Sequence, residues 1–275
     1  VELEQGDWGD LTLSDPFNGN TQVSLHCPER PMDAVEILPG VFATSFGGVI
    51  YKDYVIIADL HLGFEEEMSK KGVYLPPAQL KRALSVLQQA SEVSKKLVVA
   101  GDLKHMFSRL GRMEQRDVIK FLDAASDLDV DLVLVRGNHD NFVKHLLMER
   151  GFDVVKELDL GEMKVIHGHE EVELHSEVVV MGHEHPSLAL RDPVGATAKF
   201  PCFLKVPYER GHVVVLPAIG LYQTGTNVSL HRESYLSPII RKHVDLRRAV
   251  PYVSDEELGV VEFPPLGSLE EMIVV

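Results

Sequence analysis

Five short apolar runs in this chain each stop on a group that carries charge or a strong dipole. "YVIIA" leads into Asp59 and His61, and "KLVVAG" into Asp102. "DLVLVRG" leads into Asn138, "KVI" into His167, and "VVVMG" into His183 and His185. Runs this short, β-branched and free of charge read as buried strands. Residues i and i+2 of a strand share a face, so Asp59 and His61 are expected to project together. Burying such groups without a partner costs several kcal/mol. The chain must therefore fold so that the strand ends supply partners for one another, or for something bound between them.

The segments between the runs are helical. "PPAQLKRALSVLQQA" places Leu80, Ala83, Leu84 and Leu87 at i, i+3, i+4 and i+7 behind two prolines, an amphipathic helix with an ordinary start. Val118, Phe121, Leu122 and Ala125 make a second stripe, and "NFVKHLLMERG" is a short helix closed by Gly151. This alternation predicts a βαβ-wound sheet covered on both faces, with ligands gathered outside the carboxyl ends of its strands. From about residue 160 the helices disappear. "GEMKVIHGH", "SEVVVMGHEHP" and "GHVVVLPAIG" predict a second, more antiparallel sheet.

Residues 1–35 differ from the rest: they are acidic, hold the only tryptophan (Trp8), and contain the hairpin candidate "LTLSDPFNGNTQVSL" turning at Asn18-Gly19. They are read as an N-terminal extension, 36–240 as the main domain, and 241–275 as a C-terminal tail packed on it. The tetrad "VSLH" occurs at 23–26 and 228–231 without a longer period, which is too little for a repeat.

The net charge of −15 excludes a protein that coats nucleic acid through a broad basic surface. It leaves room for a phosphate site in which bound cations reverse the local sign. Cys27 and Cys202 form neither a disulfide framework nor a CxxC pair. No apolar run approaches the length of a bilayer span, and no export signal opens the sequence. The expectation is a cytoplasmic protein with no membrane partner.

A lone buried histidine is ordinarily a hydrogen-bonded core residue. His26, His145, His175, His212, His231 and His243 stand in no motif and are read that way. His169, two positions after His167 in "HGH", is assigned to the surroundings of the site or to the surface. Seven ionisable or amide residues at successive strand ends are a different matter, because chance would have to place each of them.

Taken in order, "ADLHLG", "GDLKH", "GNHD", "VIHGH" and "GHEH" resemble the five motifs of the calcineurin-like metallophosphoesterases, over about residues 50 to 190. The resemblance implies an α/β fold: a two-sheet sandwich flanked by helices, with a dinuclear metal site at the strand C-termini. "DLHLG" with a Glu close behind, "GHEHP", and "LPAIGLYQTGTNV" followed by "YLSPII" are similar to a narrower group, the SbcD-related, ligase-associated (PdeM-type) phosphoesterases, and extend the match to about residue 240.

Carried over position by position, the resemblance has Asp59, His61 and His185 bind one divalent cation and Asn138, His167 and His183 the other, with Asp102 bridging. The carboxylates, imidazoles and amide give mixed nitrogen and oxygen shells, and Mn²⁺ is the expected ion, with Mg²⁺, Zn²⁺ and Fe²⁺ as alternatives. His139 then stabilises the developing charge or protonates the leaving oxygen, with Asp140 fixing its tautomer. His105 stands where the protein Ser/Thr phosphatase branch has an acidic residue, and "GDLKHMF" resembles the nuclease branch instead.

Arg109, Arg112 and Arg116 follow that motif and are candidates for a phosphate backbone, though a solvated helix face explains them equally well. No aromatic-rich stacking surface is evident. The function implied is hydrolysis of phosphodiester bonds, by a nuclease acting on DNA or RNA, with DNA-repair proteins as candidate partners. Two alternatives stand beside it: a phosphodiesterase of small or cyclic nucleotides, and a protein-binding scaffold of the same fold. Retention of the whole ligand set disfavours the scaffold.

Overall fold

Valine and isoleucine line both faces of the strands that carry the first three motifs. In the computed structural model, which describes residues 34–191, 197–223 and 225–269, these are β4 (Tyr54–Ile57), β5 (Lys96–Val99) and β6 (Asp131–Val135). They pair in parallel, and β6 pairs in parallel with β7 (Asp153–Val155). On the other side of β4 an antiparallel meander of β3 (Val49–Tyr51), β2 (Val41–Thr44) and β1 (Ala34–Leu38) completes a seven-stranded sheet. The hairpin candidate at 11–25, Trp8 and Cys27 lie outside the described residues.

The second sheet has eight strands. Its centre is again a parallel trio, β9 (Met163–Ile166), β10 (Val178–Met181) and β13 (Gly211–Val215). The other pairings are antiparallel: β8 (Leu158–Asp159) on β9, β12 (Thr197–Tyr208) on β13, β14 (Val250–Asp255) on β12, and β15 (Gly259–Glu262) on β14. β11 (Ser187–Arg191) pairs with the first half of β12. The twelve-residue β12 escapes a strand reading because Pro201 and Pro207 interrupt it.

The first sheet is covered on both faces, as expected, by helices on one side and the second sheet on the other, the two-sheet sandwich that the resemblance implies. Helices α2 (Gln79–Val93), α3 (Arg112–Asp127) and α4 (Lys144–Met148) pack on one face only, where Leu87, Phe121 and Leu147 meet Val55, Leu97 and Leu132. The opposite face, with Ile56 and Val98, packs on Val165, Val180, Phe203 and Val214 of the second sheet. A run that is apolar on both faces needs two covers, but its sequence does not say whether each is helix or sheet. The outer face of the second sheet is covered in turn by α5 (Pro238–His243), Tyr235, Leu246 and α6 (Leu266–Leu269). The layers are therefore helix, sheet, sheet and C-terminal segments. Among the described residues no helix is long and apolar enough to cross a membrane.

Candidate metal centre

The two parallel trios end at the same edge of the sandwich, and all five motifs lie there. The first motif departs from a simple strand reading. β4 stops at Ile57, and Asp59 and His61 follow it in left-handed backbone, with φ of 58° and 47°. Asp102, His183 and His185 are left-handed as well, with φ of 54°, 69° and 46°. For residues other than glycine this conformation costs on the order of 1–3 kcal/mol each, and it persists only where the surroundings impose it. Here neighbouring backbone does so: Asp59 N–H donates to the Gly101 carbonyl (3.0 Å), His61 N–H to the Asp102 carbonyl (2.9 Å), and Gly220 N–H to the Asp59 carbonyl (3.0 Å).

The motif glycines leave the space that the ligands fill. A Cβ on Gly137 would lie 2.2 Å from Oδ1 of Asp102, and one on Gly182 would lie 2.6 Å from Oδ2 of Asp59. Each glycine therefore stands under a carboxylate that comes from a different strand.

The seven expected ligands converge in two sets, and His61 forms a third group of close ring nitrogens with His105 and His139. Asp59, His61 and His185 bring their donor atoms within 4.8 Å of one another, and so do Asp102, His167 and His183. Asn138 joins the second set, its Oδ1 3.1 Å from His167 Nε2. Asp102 lies between the sets, with Oδ2 3.8 Å from His61 Nε2 and 3.3 Å from His167 Nε2.

A divalent cation fits these atoms on their own chemistry. Asp59 Oδ1 is buried without a hydrogen-bond partner. His61 and His185 point Nε2 at each other over 3.2 Å. His167 Nδ1 donates to the Ala100 carbonyl (2.8 Å), so in the neutral ring the Nε2 lone pair faces Asn138 Oδ1 and Asp102 Oδ2. Acceptors converging on acceptors require positive charge between them. Without a cation a proton stands in: against the desolvation of burial, the Asp102 and Asp59 carboxylates push His167 up to about 9. Burial and the neighbouring imidazole of His185 push His61 the other way, down to about 3. Burial and His167 likewise take His183 down to about 4.

His139 and His105 stand over the ligand sets. Their rings stack with centroids 5.5 Å apart, and each packs edge-on against His61. His139 Nδ1 donates to the His105 carbonyl, which leaves Nε2 free, 4.0 Å from Asp102 Oδ2. Asp140 does not reach that ring. Its oxygens accept from Gly137 N–H, Asp102 N–H and Leu103 N–H at 2.8 to 2.9 Å, so it clasps the second and third motif loops together. The tautomer of His139 is thus set by a carbonyl and not by Asp140. His105 Nε2 lies 3.2 Å from Glu67 Oε2, and burial takes its pKa down to about 4 against the pull of that carboxylate.

Arg109 and Arg112 are exposed and make no side-chain hydrogen bond or ion pair among the described residues; Arg116 is exposed and meets Asp117 at 3.3 Å. His169 sits beside His167, with ring centroids 5.2 Å apart.

Several residues of the site carry no sequence signal of their own. Glu114 is fully buried and accepts from His105 N–H (3.0 Å), Met106 N–H (2.6 Å) and Gly111 N–H (3.0 Å). Glu66 accepts from Met113 N–H and Glu114 N–H, both at 2.9 Å. Gly63, the last residue of "DLHLG", has no room for a Cβ because Glu114 Cβ would lie 2.5 Å away. Glu184, inside "GHEH", accepts from Leu236 N–H and Ser237 N–H, and Ser237 Oγ donates to the Gly168 carbonyl at 2.7 Å. The "YLSPII" segment therefore buttresses the fourth and fifth motifs. Aromatic rings also line the rim, contrary to the expectation of none: Phe64 stacks on Tyr222 at 5.5 Å and meets His105 at 4.8 Å, and Phe107 meets His139 at 5.8 Å.

Two sets of cation ligands on the seam of a two-sheet sandwich define a dinuclear-metal phosphoesterase fold. The chain belongs to the calcineurin-like phosphoesterase family, whose model matches residues 53–192. In fold it is similar to the nuclease MPE of Pseudomonas putida, at 18% identity and a TM-score of 0.59, over 84% of this chain and 98% of that one. A looser similarity, with 18% identity and a TM-score of 0.40 over 77% of this chain and 98% of that one, links it to YfcE, a phosphoesterase from E. coli. No curated protein matches the chain in sequence.

Proposed function

We propose that this protein hydrolyses phosphodiester bonds in nucleic acid, with Mn²⁺ as the working ion. The observation that carries the reading is the stacked pair His105 and His139, both edge-on to His61, with His139 Nε2 4.0 Å from Asp102 Oδ2. A sugar hydroxyl is a poor leaving group and needs a proton as its bond to phosphorus breaks.

Asp59, His61 and His185 would hold one cation and Asn138, His167 and His183 the other, with Asp102 placed between the two sets. When bound, such a pair lowers the pKa of a water and neutralises the phosphoryl oxygens. His139, anchored through Nδ1 to the His105 carbonyl, presents Nε2 to the substrate and delivers the proton. His105, with Glu67 at Nε2, steadies the same phosphate or its leaving oxygen. The nuclease named among the structural neighbours shares the fold and lends this reading some support. The SbcD-related group is favoured by the Glu184–Ser237 buttress, which accounts for that group's C-terminal wording in physical terms.

Metal-stripped protein, reloaded separately with Mn²⁺, Mg²⁺ or Zn²⁺ and assayed on single- and double-stranded oligonucleotides, cyclic nucleotides and an aryl diester, tests the proposal. Cleavage of an oligonucleotide only after reloading is the expected result. Turnover of cyclic nucleotides alone would favour the small-nucleotide alternative, and no turnover with any ion would favour the scaffold.

A further inference from the structure

A cavity of about 580 Å³ opens directly from the second ligand set, since Asn138 and His167 form part of its wall. Its charge runs against that of the chain. Arg136, Lys144 and Lys156 line it, with Glu157 and Glu170 as the acidic members. Both acids are already neutralised, Glu170 by Lys156 (3.0 Å) and Glu157 by Lys164 from outside the cavity (3.0 Å). Arg136 bonds only to the neutral amide of Asn141 (3.0 Å), and Lys144 has no side-chain partner among the described residues. Two cations that make no ion pair of their own, Arg136 feeling Glu170 only at longer range, therefore face a cavity beside the metal centre, in a protein whose net charge is −15.

Phe107 stands at the mouth, 57% exposed, with its ring edge-on to His139 at 5.8 Å. An exposed phenyl ring beside a catalytic histidine gains nothing from water. It does offer a flat face to a nucleobase, whichever base that is.

We propose that this cavity takes the flanking strand of a single-stranded polynucleotide on one side of the bond being cut. Arg136 and Lys144 meet its phosphates, and Phe107 stacks under a base. The inference rests on the nuclease reading above and adds a subsite to it. Cations that contact phosphate raise affinity through counterion release, and base stacking adds to this without sequence preference. A diester that lacks flanking nucleotides gains from neither.

The test compares wild type with Arg136→Ala/Lys144→Ala and with Lys81→Ala, which removes an exposed cation on α2 away from the cavity. Two quantities are read in Mn²⁺-loaded protein: the ratio of kcat/KM on a single-stranded oligonucleotide to kcat/KM on an aryl diester, and the salt dependence of oligonucleotide binding. Binding is followed by anisotropy in the His139→Ala background. The double variant should lower the ratio by roughly tenfold or more and reduce the slope of log K against log salt by about 1.4, while Lys81→Ala moves neither. Phe107→Ala should lower the ratio as well, leaving the salt slope in place.

An unchanged ratio and slope, with wild type cutting the oligonucleotide, would overturn the subsite and leave the nuclease reading standing. Wild type that turns over the aryl diester yet neither cuts nor binds the oligonucleotide would overturn both. Binding that depends on Arg136 and Lys144 without cleavage would keep the subsite and end the nuclease reading. A loss confined to duplex substrate would overturn the single-strand assignment.

Discussion

Gly101 and His167 are in contact so close that a Cβ on the glycine would lie 2.1 Å from the imidazole Nδ1. That nitrogen is the one that donates to the Ala100 carbonyl and so aims Nε2 at the second ligand set. Gly101 also has φ of +93°, where any other residue is strained. Gly101→Ala should tilt His167 out of place, cost about 1–3 kcal/mol of stability, and leave the chain with fewer than two tightly held cations. Metal analysis after dialysis, paired with a thermal melt, checks this; two cations retained at wild-type affinity would refute it.

The general-acid role assigned to His139 separates chemistry from cation binding. Its Nδ1 is committed to the His105 carbonyl, and although it groups with His61 and His105 it stands outside the Asp59–His61–His185 and Asp102–His167–His183 sets. His139→Ala should keep both cations and lose turnover by roughly 10²-fold or more. Loss of a cation from this variant would move His139 into the coordination sphere and sink the assignment.

His105→Ala should distinguish substrates. A nitrophenyl oxyanion is stable as it leaves, whereas a sugar oxygen needs His105 to steady it while His139 delivers the proton, so the loss should be large on a dinucleotide and small on the aryl ester. Side-by-side kinetics at saturating Mn²⁺ decide it. Equal losses would reduce His105 to a phosphate-positioning residue.

Glu114 holds the loop that carries His105 by accepting three backbone N–H groups. Glu114→Ala leaves those buried donors without a partner and should destabilise the fold by about 2 kcal/mol or more, measured by denaturant unfolding of the metal-loaded protein. Glu114→Gln, which keeps one acceptor oxygen, should lose clearly less. Equal loss in the two variants would mean that the second carboxylate oxygen and its charge, which Gln lacks, carry the whole effect; an unchanged stability in Glu114→Ala would refute the role of the hydrogen bonds.

Cation removal should lower the melting temperature. A ligand present at about a hundred times its Kd contributes roughly 2.7 kcal/mol per site to the folded state. An unchanged melt after verified removal of metal would show that the two ligand sets do not bind cations tightly.

The ligand sets were legible because each is announced by an apolar run that ends on a costly group, as at Val99 before Asp102 or Met181 before His183. The helices α2 and α3 were legible from period alone. What stayed hidden depends on contacts that no residue pattern announces, some of them local and some distant in sequence. Nothing near Glu114 says that it answers three N–H groups of the preceding loop, and nothing in "YLSPII" says that Ser237 and Glu184 meet. The left-handed turns at Asp59 and His61 were hidden too, since an alternating strand and a kinked loop both place such residues side by side. β12 was lost because its prolines argue locally against a strand that tertiary pairing nevertheless completes.

The two ligand sets each draw on both sheets. Asp59, His61, Asp102 and Asn138 follow strands of the first, and His167, His183 and His185 follow strands of the second. A cation held by such a set is a rivet through two plates. Sliding one sheet past the other by a single residue, about 3.3 Å along the strands, would pull every shell apart at once. The loaded protein consequently has little freedom to admit substrate by opening this seam. Accommodation falls to the rim, to the helix start at Phe64 and the loops that carry Phe107 and Tyr222, while the plates beneath them keep their alignment.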